Sequence, residues 1–139
     1  MELLDDVRHA VDLTTTPVHL GLGSRARPIQ GFAWDPDVLG AYAAAVEADG
    51  PEGRLVAIID DEGRGHHWER HPGGDEVVIC LAGSVTVVAR DDDGSEVATR
   101  LGPGEGAVNP AGVWHAVDME GAGRILTITP GAHTEHRAR

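Results

Sequence analysis

Two carboxylates and an imidazole crowd into one short stretch of the chain. Glu69 and His71 lie two residues apart, and Glu76 follows after the sequence Pro-Gly-Gly-Asp at positions 72–75. Residues two apart on a β-strand point to the same face, and this Pro-Gly-Gly-Asp sequence is strong turn chemistry. A hairpin of this kind can bring Glu69, His71 and Glu76 together at the mouth of a sheet. Imidazole and carboxylate groups that converge in a small volume make a candidate metal site.

A second stretch adds another histidine. It begins at Gly104, reaches Pro110 after five intervening residues and ends at His115. Together the two stretches resemble the paired sequence motifs of the cupin superfamily, over residues 54–130. The second cupin motif runs Gly, five residues, Pro, a short gap and His, which this stretch matches. The Asn that often follows that His is replaced here by Met119.

The first motif matches in every spacing and departs in one residue. The family pattern is Gly, five residues, His-x-His, three or four residues, Glu, six residues and Gly. In this chain Glu69 stands where the family usually has its first histidine. The matching positions are Gly63, Glu69, His71, Glu76 and Gly83.

The resemblance implies an all-β fold, a single-domain cupin jelly-roll β-barrel with one short outer helix. It also implies that His71, Glu76 and His115 bind one divalent metal ion, and that the chain forms a homodimer. The protein looks like small stand-alone single-domain cupins of uncharacterised function. Its His-Pro-Gly-Gly-x-Glu sequence resembles the corresponding motif of the zinc-binding sensor domains of the ChrR type.

The fourth ligand has several candidates. Strand parity places His67, Glu69 and His71 on one face, so Glu69 or His67 can complete the ligand set with His115. Glu69 can instead pair with an arginine and leave a three-ligand site. If the site holds no metal, His71 and His115 become general acid–base candidates, as in metal-free sugar epimerases of this fold.

Two imidazoles and two carboxylates suit iron, zinc, manganese or nickel, and the sequence does not choose among them. Open coordination positions turn such an ion into a Lewis acid or a dioxygen site. Glu69 or His67 is then placed to move a proton.

One segment of the chain carries a clear sequence signal for a helix. Asp35 suits the helix N-cap and Pro36 the first helical position, which predicts a helix over residues 36–48. A short helix is also expected in residues 1–10.

His19 is expected to be a half-buried structural residue. The tail from Thr134 to Arg137 is expected to be frayed or, alternatively, folded back over the barrel mouth.

We expect one domain over residues 1–139. It comprises an N-terminal extension (1–53), the barrel motifs (54–130) and a tail (131–139).

Composition excludes several classes of partner. The chain has 11 Lys and Arg residues against 23 Asp and Glu residues, a formal charge of −12. Such a balance argues against nucleic acid or an anionic membrane. One cysteine, Cys80, rules out an internal disulfide and is expected to be a small buried hydrophobic residue. No apolar run reaches the roughly 18 residues of a membrane span, and no signal peptide is evident, so the cytoplasm is the expected compartment.

These observations predict a metal-dependent enzyme acting on a small organic molecule, of the dioxygenase, isomerase or lyase type. The alternative is a non-catalytic cupin that senses a metal or a small ligand. A storage or structural cupin fits less well, because the ligand set is intact.

Overall fold

The structure is a computed structural model that describes residues 1–139, and its strands form two antiparallel sheets with one α-helix. The prediction of an all-β cupin fold with one short helix is confirmed. In chain order the elements are β1 (Glu2–Leu3), β2 (Val18–Gly21), β3 (Arg25–Gln30), α1 (Pro36–Ala45), β4 (Arg54–Glu62), β5 (His67–Arg70), β6 (Glu76–Ala82), β7 (Val85–Arg90), β8 (Glu96–Leu101), β9 (Gly106–Asn109), β10 (Trp114–Met119), β11 (Ala122–Pro130) and β12 (Glu135–Ala138).

The two sheets place strands from distant parts of the chain side by side. The larger sheet has the order β1-β3-β2-β4-β11-β6-β9, and the smaller has the order β12-β5-β10-β7-β8. Alternation along β6 buries Glu76, Val78 and Cys80 and leaves the residues between them partly exposed. This period of two is that of a sheet with one face turned to the core. It puts Glu76 on the same inner face as the core residues.

Buried apolar residues form two main clusters inside the fold. One cluster lies at the β6–β7 end and includes Cys80, which is fully buried as predicted. The other lies under α1 and includes Ile29, Tyr42, Val46 and Leu55. A cavity between them is lined by members of both clusters. The packing therefore leaves room inside the fold next to the strands that carry the motif residues.

Helix α1 begins where the sequence predicts. The Asp35 carboxylate accepts a hydrogen bond from the backbone N–H of Val38 at 2.9 Å, and Pro36 is the first helical residue. The helix ends at Ala45 and is followed by a 3-10 segment from Glu47 to Glu52. The predicted helix is thus confirmed at its start and three residues shorter at its end.

His19 fastens β2 to the helical segment. It is fully buried, with Nδ1 2.8 Å from the Tyr42 hydroxyl and Nε2 2.7 Å from the Asp49 carboxylate. The residue is structural, as predicted, but buried more deeply than the expected half.

The glycines of the two sequence motifs occupy left-handed backbone positions. The φ angles are +75° at Gly63, +81° at Gly83 and +87° at Gly104, a region that side chains disfavour. At Gly83 a Cβ atom would also lie 2.6 Å from the carbonyl oxygen of Ala122. The motif glycines therefore stand at turns between strands, where a positive φ is needed, and this fixes their spacing in the sequence.

The two chain ends differ from the simplest sequence expectations. The helix expected in residues 1–10 is wrong: Glu2–Leu3 forms β1 and pairs with β3, because Leu3 packs against the cluster under α1. The frayed tail is also wrong, and the alternative holds. Residues 135–138 form β12, which pairs with β5 at the edge of the smaller sheet.

The end of the chain is fixed by charge as well as by pairing. The guanidinium of Arg139 makes two hydrogen bonds with the Asp118 carboxylate, at 2.5 and 2.9 Å. This contact holds the pKa of Asp118 below its ordinary value. None of the helices has the length and apolarity needed to cross a membrane.

Candidate metal centre

Glu76 lies at the centre of the site and is held by neighbours on both sides of β6. Its side chain is buried on the inner face of the larger sheet. Asn109 on β9 donates its amide N–H to Oε1 at 3.1 Å, and the Thr129 hydroxyl on β11 donates to Oε2 at 2.7 Å. Both carboxylate oxygens therefore have fixed positions.

Two histidines approach this carboxylate from the opposite sheet. Nε2 of His71 lies 3.1 Å from Oε2 of Glu76, and Nε2 of His115 lies 3.0 Å from Oε1. The other ring nitrogens have partners of their own. Nδ1 of His71 is 2.9 Å from the Thr134 hydroxyl, and Nδ1 of His115 is 3.2 Å from the Val113 carbonyl oxygen. A carbonyl only accepts, so the proton of a neutral His115 ring is on Nδ1 and its Nε2 carries a lone pair.

The two Nε2 atoms face the same carboxylate. Both are buried, and although they lie close to Glu76, neither makes a well-aligned hydrogen bond. Buried polar atoms without partners are costly and rare. The four ligand atoms of Glu69, His71, Glu76 and His115 all lie within 4.8 Å of one another. Two imidazole nitrogens and two carboxylates in that volume fit a divalent transition-metal ion.

The electrostatics of this group favour an ionised carboxylate. Burial by itself would raise the pKa of Glu76, but the contacts with His115 and His71 outweigh it, and the pKa is well below its ordinary value. Burial likewise opposes protonation of His115, but Glu76 raises the pKa of that imidazole. The two shifts have one cause, the approach of imidazole and carboxylate in a region that excludes water.

Glu69 stands at the outer edge of the group. On the smaller sheet it lies between His136 of β12 and His115 of β10, at the same level on all three strands. Its Oε1 is 3.0 Å from Nε2 of His136, and its Oε2 is 4.0 Å from Nε2 of His71. The alternative in which Glu69 pairs with an arginine is wrong, because the side chains within 4 Å of its carboxylate oxygens that could pair with it are those of His71 and His136. Arg70 pairs with Glu135 instead.

His67 faces the same cavity but does not join the four. It is exposed, shares a strand face with Glu69 as parity predicts, and lines the cavity. The group whose ligand atoms lie together contains Glu69 and not His67.

Trp68 and Trp114 lie on the opposite face of the smaller sheet. Trp68 is buried in a small cluster with Val88 and Ala116, and Trp114 packs against it. The two tryptophans brace the strands that carry the site and do not touch the cavity.

The cavity beside the four residues has a volume of about 520 Å³. Small-molecule sites typically have roughly 300–1,000 Å³. Its lining comes from both sheets, from α1 and from the segment after β11. The arrangement thus joins a candidate metal centre to a space that can hold a small organic molecule.

Four residues of the site were not singled out for it from the sequence. Asn109 and Thr129 hold Glu76, Thr134 contacts His71, and His136 contacts Glu69. The strand parity of β11 could have drawn attention to Thr129, because it is polar and shares the inner face with Ile125. Nothing in the sequence indicates that the tail returns to β5.

Two facing antiparallel sheets with a histidine–carboxylate cluster on their inner faces define a small all-β domain with a candidate metal site. The chain is a member of the cupin family: the cupin domain model matches residues 55–129. The resemblance inferred from the two motifs is therefore confirmed.

Curated and solved relatives agree with this membership. The chain is 36% identical over 85 residues to ureidoglycolate lyase 2 of Rhizobium meliloti (strain 1021), with 53% of this chain and 52% of the relative covered. It thus spans about half the length of that relative. The fold is similar to that of an oxalate decarboxylase, with a TM-score of 0.53, 16% identity and coverage of 69% of this chain and 26% of the other.

A third similar structure is a hydroquinone 1,2-dioxygenase in complex with Cd²⁺ and 4-hydroxybenzonitrile. Its TM-score is 0.50 at 22% identity, with 55% of this chain and 57% of that chain covered. At these identities the two structural likenesses establish the fold alone.

Proposed function

We propose that the protein is a mononuclear metal-dependent enzyme that acts on a small organic molecule, of the dioxygenase, isomerase or lyase type. The observation that supports it most is the pair of buried Nε2 atoms of His71 and His115. They face one fixed carboxylate, lack well-aligned hydrogen bonds and adjoin a cavity of about 520 Å³. The 36% identity to a ureidoglycolate lyase over 85 residues supports an enzymatic role.

In this proposal His71, Glu76 and His115 hold one ion, which is iron, zinc, manganese or nickel, and Glu69 is the fourth ligand. The partners of these side chains support the assignment. Val113 directs the Nε2 lone pair of His115 inward, and Thr134 leaves Nε2 of His71 free. Ligating histidines typically donate their other ring nitrogen in this way. A bound ion of this type supplies Lewis acidity toward a substrate oxygen.

In the proposed reaction, side chains of the protein transfer the proton. Glu69 is half-exposed at the cavity and contacts His136 at 3.0 Å. Oε2 of Glu69 is free to take a proton, and Nε2–H of His136 donates to Oε1 and orients the carboxylate, which makes Glu69 the first candidate base. His67, on the same strand face, is the second.

The experiment is elemental analysis of protein purified without added metal, together with a crystal structure and anomalous scattering. We expect one first-row divalent ion per chain, with anomalous density between His71, Glu76 and His115. Absence of stoichiometric metal under all loading conditions would overturn the proposal. A stoichiometric ion without turnover of any small molecule would favour the metal- or ligand-sensing alternative.

We also propose that residues 1–139 fold as one domain, that the protein works in the cytoplasm and that it forms a homodimer. The homodimer is implied by the cupin resemblance. The outer face of the larger sheet supports it, because Leu81 and Val108 are exposed there at 39% and 61%. Sedimentation equilibrium of the purified chain tests the homodimer, and a monomer at micromolar concentration would contradict it.

A further inference from the structure

The three tryptophans of the chain differ in what covers their rings. Two arginines stack on the ring of Trp68 and two on the ring of Trp114, with centroid distances from 4.6 to 5.8 Å. No arginine stacks on Trp34. Trp34 is also the one tryptophan that lines the cavity beside the candidate metal centre, and it is 54% exposed. A large aromatic ring left open beside a cavity is a surface on which a ligand can bury apolar area.

Phe32 holds the Trp34 ring in place without enclosing it. The two ring centroids lie 4.8 Å apart at an interplanar angle of 87°, an edge-to-face arrangement that aromatic pairs favour. Phe32 makes a second edge-to-face contact with the ring of Tyr42, which is buried and whose hydroxyl contacts His19. The Trp34 ring is thus tied to the core under α1. An edge-to-face contact covers at most one face of an indole, so the contact with Phe32 leaves the other face free.

The wall of the cavity next to Trp34 is apolar. Trp34 precedes the Asp35 cap and Leu39 is the fourth residue of α1, the two positions that pack together in a hydrophobic staple. Leu39 and Ala43 are four residues apart on one face of the helix, and both line the cavity. The histidines of the lining come instead from the strands and from the segments beside them: His66, His67, His71, His115, His133 and His136. A ligand held by a polar group at the centre therefore meets an aromatic and aliphatic surface where it reaches α1.

We infer, on the basis of the proposed metal-dependent function, that Trp34 binds the substrate by stacking on a planar group. The substrate binds the ion through a polar group and carries an aromatic ring or another flat conjugated system on its α1 side. A flat group suits this surface because it contacts the indole over the whole ring, and stacking adds to the burial of apolar area. Substituents on that ring, charged or neutral, lie within the polar part of the lining.

The test uses three hydroxamates that share one metal-binding head. They are acetohydroxamate, 2-naphthohydroxamate and its saturated analogue decahydro-2-naphthohydroxamate, each titrated by calorimetry into zinc-loaded full-length protein. Trp34→Ala should weaken the binding of 2-naphthohydroxamate at least about tenfold and that of the saturated analogue less than about fivefold, because only the planar rings stack. Acetohydroxamate should bind both proteins equally. Each probe is compared with itself, so the affinity of the head for zinc cancels.

Two further variants separate stacking from general effects of the substitution. Trp34→Phe keeps an aromatic face and should bind 2-naphthohydroxamate within about threefold of the wild type. Leu22→Ala is the matched control, because Leu22 is also an exposed apolar side chain but does not line the cavity. It should leave the affinities of all three probes unchanged.

A measurement on the unaltered sequence covers the case in which Trp34→Ala fails to fold or loses acetohydroxamate as well. Protein labelled with 5-fluorotryptophan gives three fluorine resonances, and that of Trp34 has the largest solvent isotope shift, because Trp68 is buried and Trp114 is half-buried. 2-Naphthohydroxamate should move the Trp34 resonance through the ring current of the stacked rings and leave the other two in place. A Trp34 resonance that does not move at saturating 2-naphthohydroxamate overturns the stacking role.

The outcomes separate this inference from the proposed function. Protein that holds no zinc, or loaded protein that binds none of the three hydroxamates, overturns the metal-dependent function and the inference with it. Loaded Trp34→Ala that binds 2-naphthohydroxamate as tightly as the wild type overturns the role of Trp34 alone. Equal losses for the planar and saturated probes overturn the planar substrate class.

Discussion

The inner and outer halves of the site differ in how firmly their side chains are held. The inner half consists of His71, Glu76 and His115, which are 2%, 4% and 2% exposed, and each has a further partner from a neighbouring strand or loop. The outer half consists of Glu69 and His136, whose side chains are 42% and 52% exposed. The side chains of the inner half are therefore held in place, whereas those of the outer half are open to water.

This difference predicts that metal binding depends mainly on the inner half. His115→Ala should abolish stoichiometric metal and lower the melting temperature by several degrees, because bound metal stabilises only the folded state. His67→Ala is the matched control, since it removes an exposed imidazole from the same cavity and should keep the metal. Metal analysis and thermal melts of both variants measure this. Binding as tight in His115→Ala as in the wild type would show that the ligand assignment is wrong.

The support of Glu76 should matter next. Thr129→Val keeps the shape of the side chain and removes the hydrogen bond to Oε2 of Glu76. Loss of such a supporting contact typically costs about 10–100-fold in metal affinity, and we expect the lower end, because Asn109 still holds Oε1. Thr127→Val, on the same inner face of β11, is the control. Equal affinities for these two variants would mean that the hydrogen bond does not position the ligand.

Substitutions of Glu69 test whether this outer residue belongs to the metal ligands. If Glu69 is a ligand, Glu69→Ala should weaken metal binding relative to the wild type. The loss of affinity should be less than about tenfold, because the inner three ligands remain. Glu69→His should keep the metal and raise its acidity, since it removes one negative charge. Glu69→Gln should retain metal and lose turnover if the residue moves a proton. Full occupancy with unchanged affinity in Glu69→Ala would remove Glu69 from the ligand set.

The smallest expected effect is the pH dependence of the metal-stripped protein. Glu76 has a lowered pKa, so its contribution to stability is full above its ordinary value of 4.5 and is lost as the pH falls through the folded value. His115 has a raised pKa, so its contribution is full below 6.5 and is lost as the pH rises through the folded value. Both contributions to the stability of the folded protein are full only between pH 4.5 and pH 6.5.

The metal-stripped protein should therefore melt at the highest temperature between about pH 4.5 and 6.5, with a decline of a few degrees on the alkaline side. Added metal should reverse that decline, because the proton leaves His115 as the pH rises and the nitrogen becomes a ligand. Thermal melts with and without metal measure both effects. A decline of the same size in metal-stripped His115→Gln would assign it to other groups.

Local patterns indicated that Glu69 and the three residues of the inner half lie together, as they do in the structure. Two-residue spacing placed Glu69 and His71 on one face, and the paired motifs added Glu76 and His115. The capping signal of Asp35 located α1 at its first residue. These predictions depend on the conformation of one short segment, on turn chemistry or on motif spacing, all of which the sequence carries directly.

The outer half depends on pairings between distant segments, and sequence reasoning did not find them. His136 reaches Glu69 only because residues 135–138 add a strand to β5, and Leu3 reaches the cluster under α1 only because β1 joins β3. Both segments are short and weakly patterned, and the neighbouring sheet edge decides their structure. The threonine contacts of Glu76 and His71 likewise join residues 53 and 63 positions apart.

Strand β12 couples the shape of the site to a local unfolding equilibrium. It is four residues long and exposed throughout, so its release from β5 costs less free energy than unfolding of the whole chain. Each release also separates His136 from Glu69, and the tail then holds Thr134 less firmly against His71. The time that the site spends fully assembled is thus set by hydrogen bonds on the sheet edge, and amide exchange in residues 135–138 reports it directly.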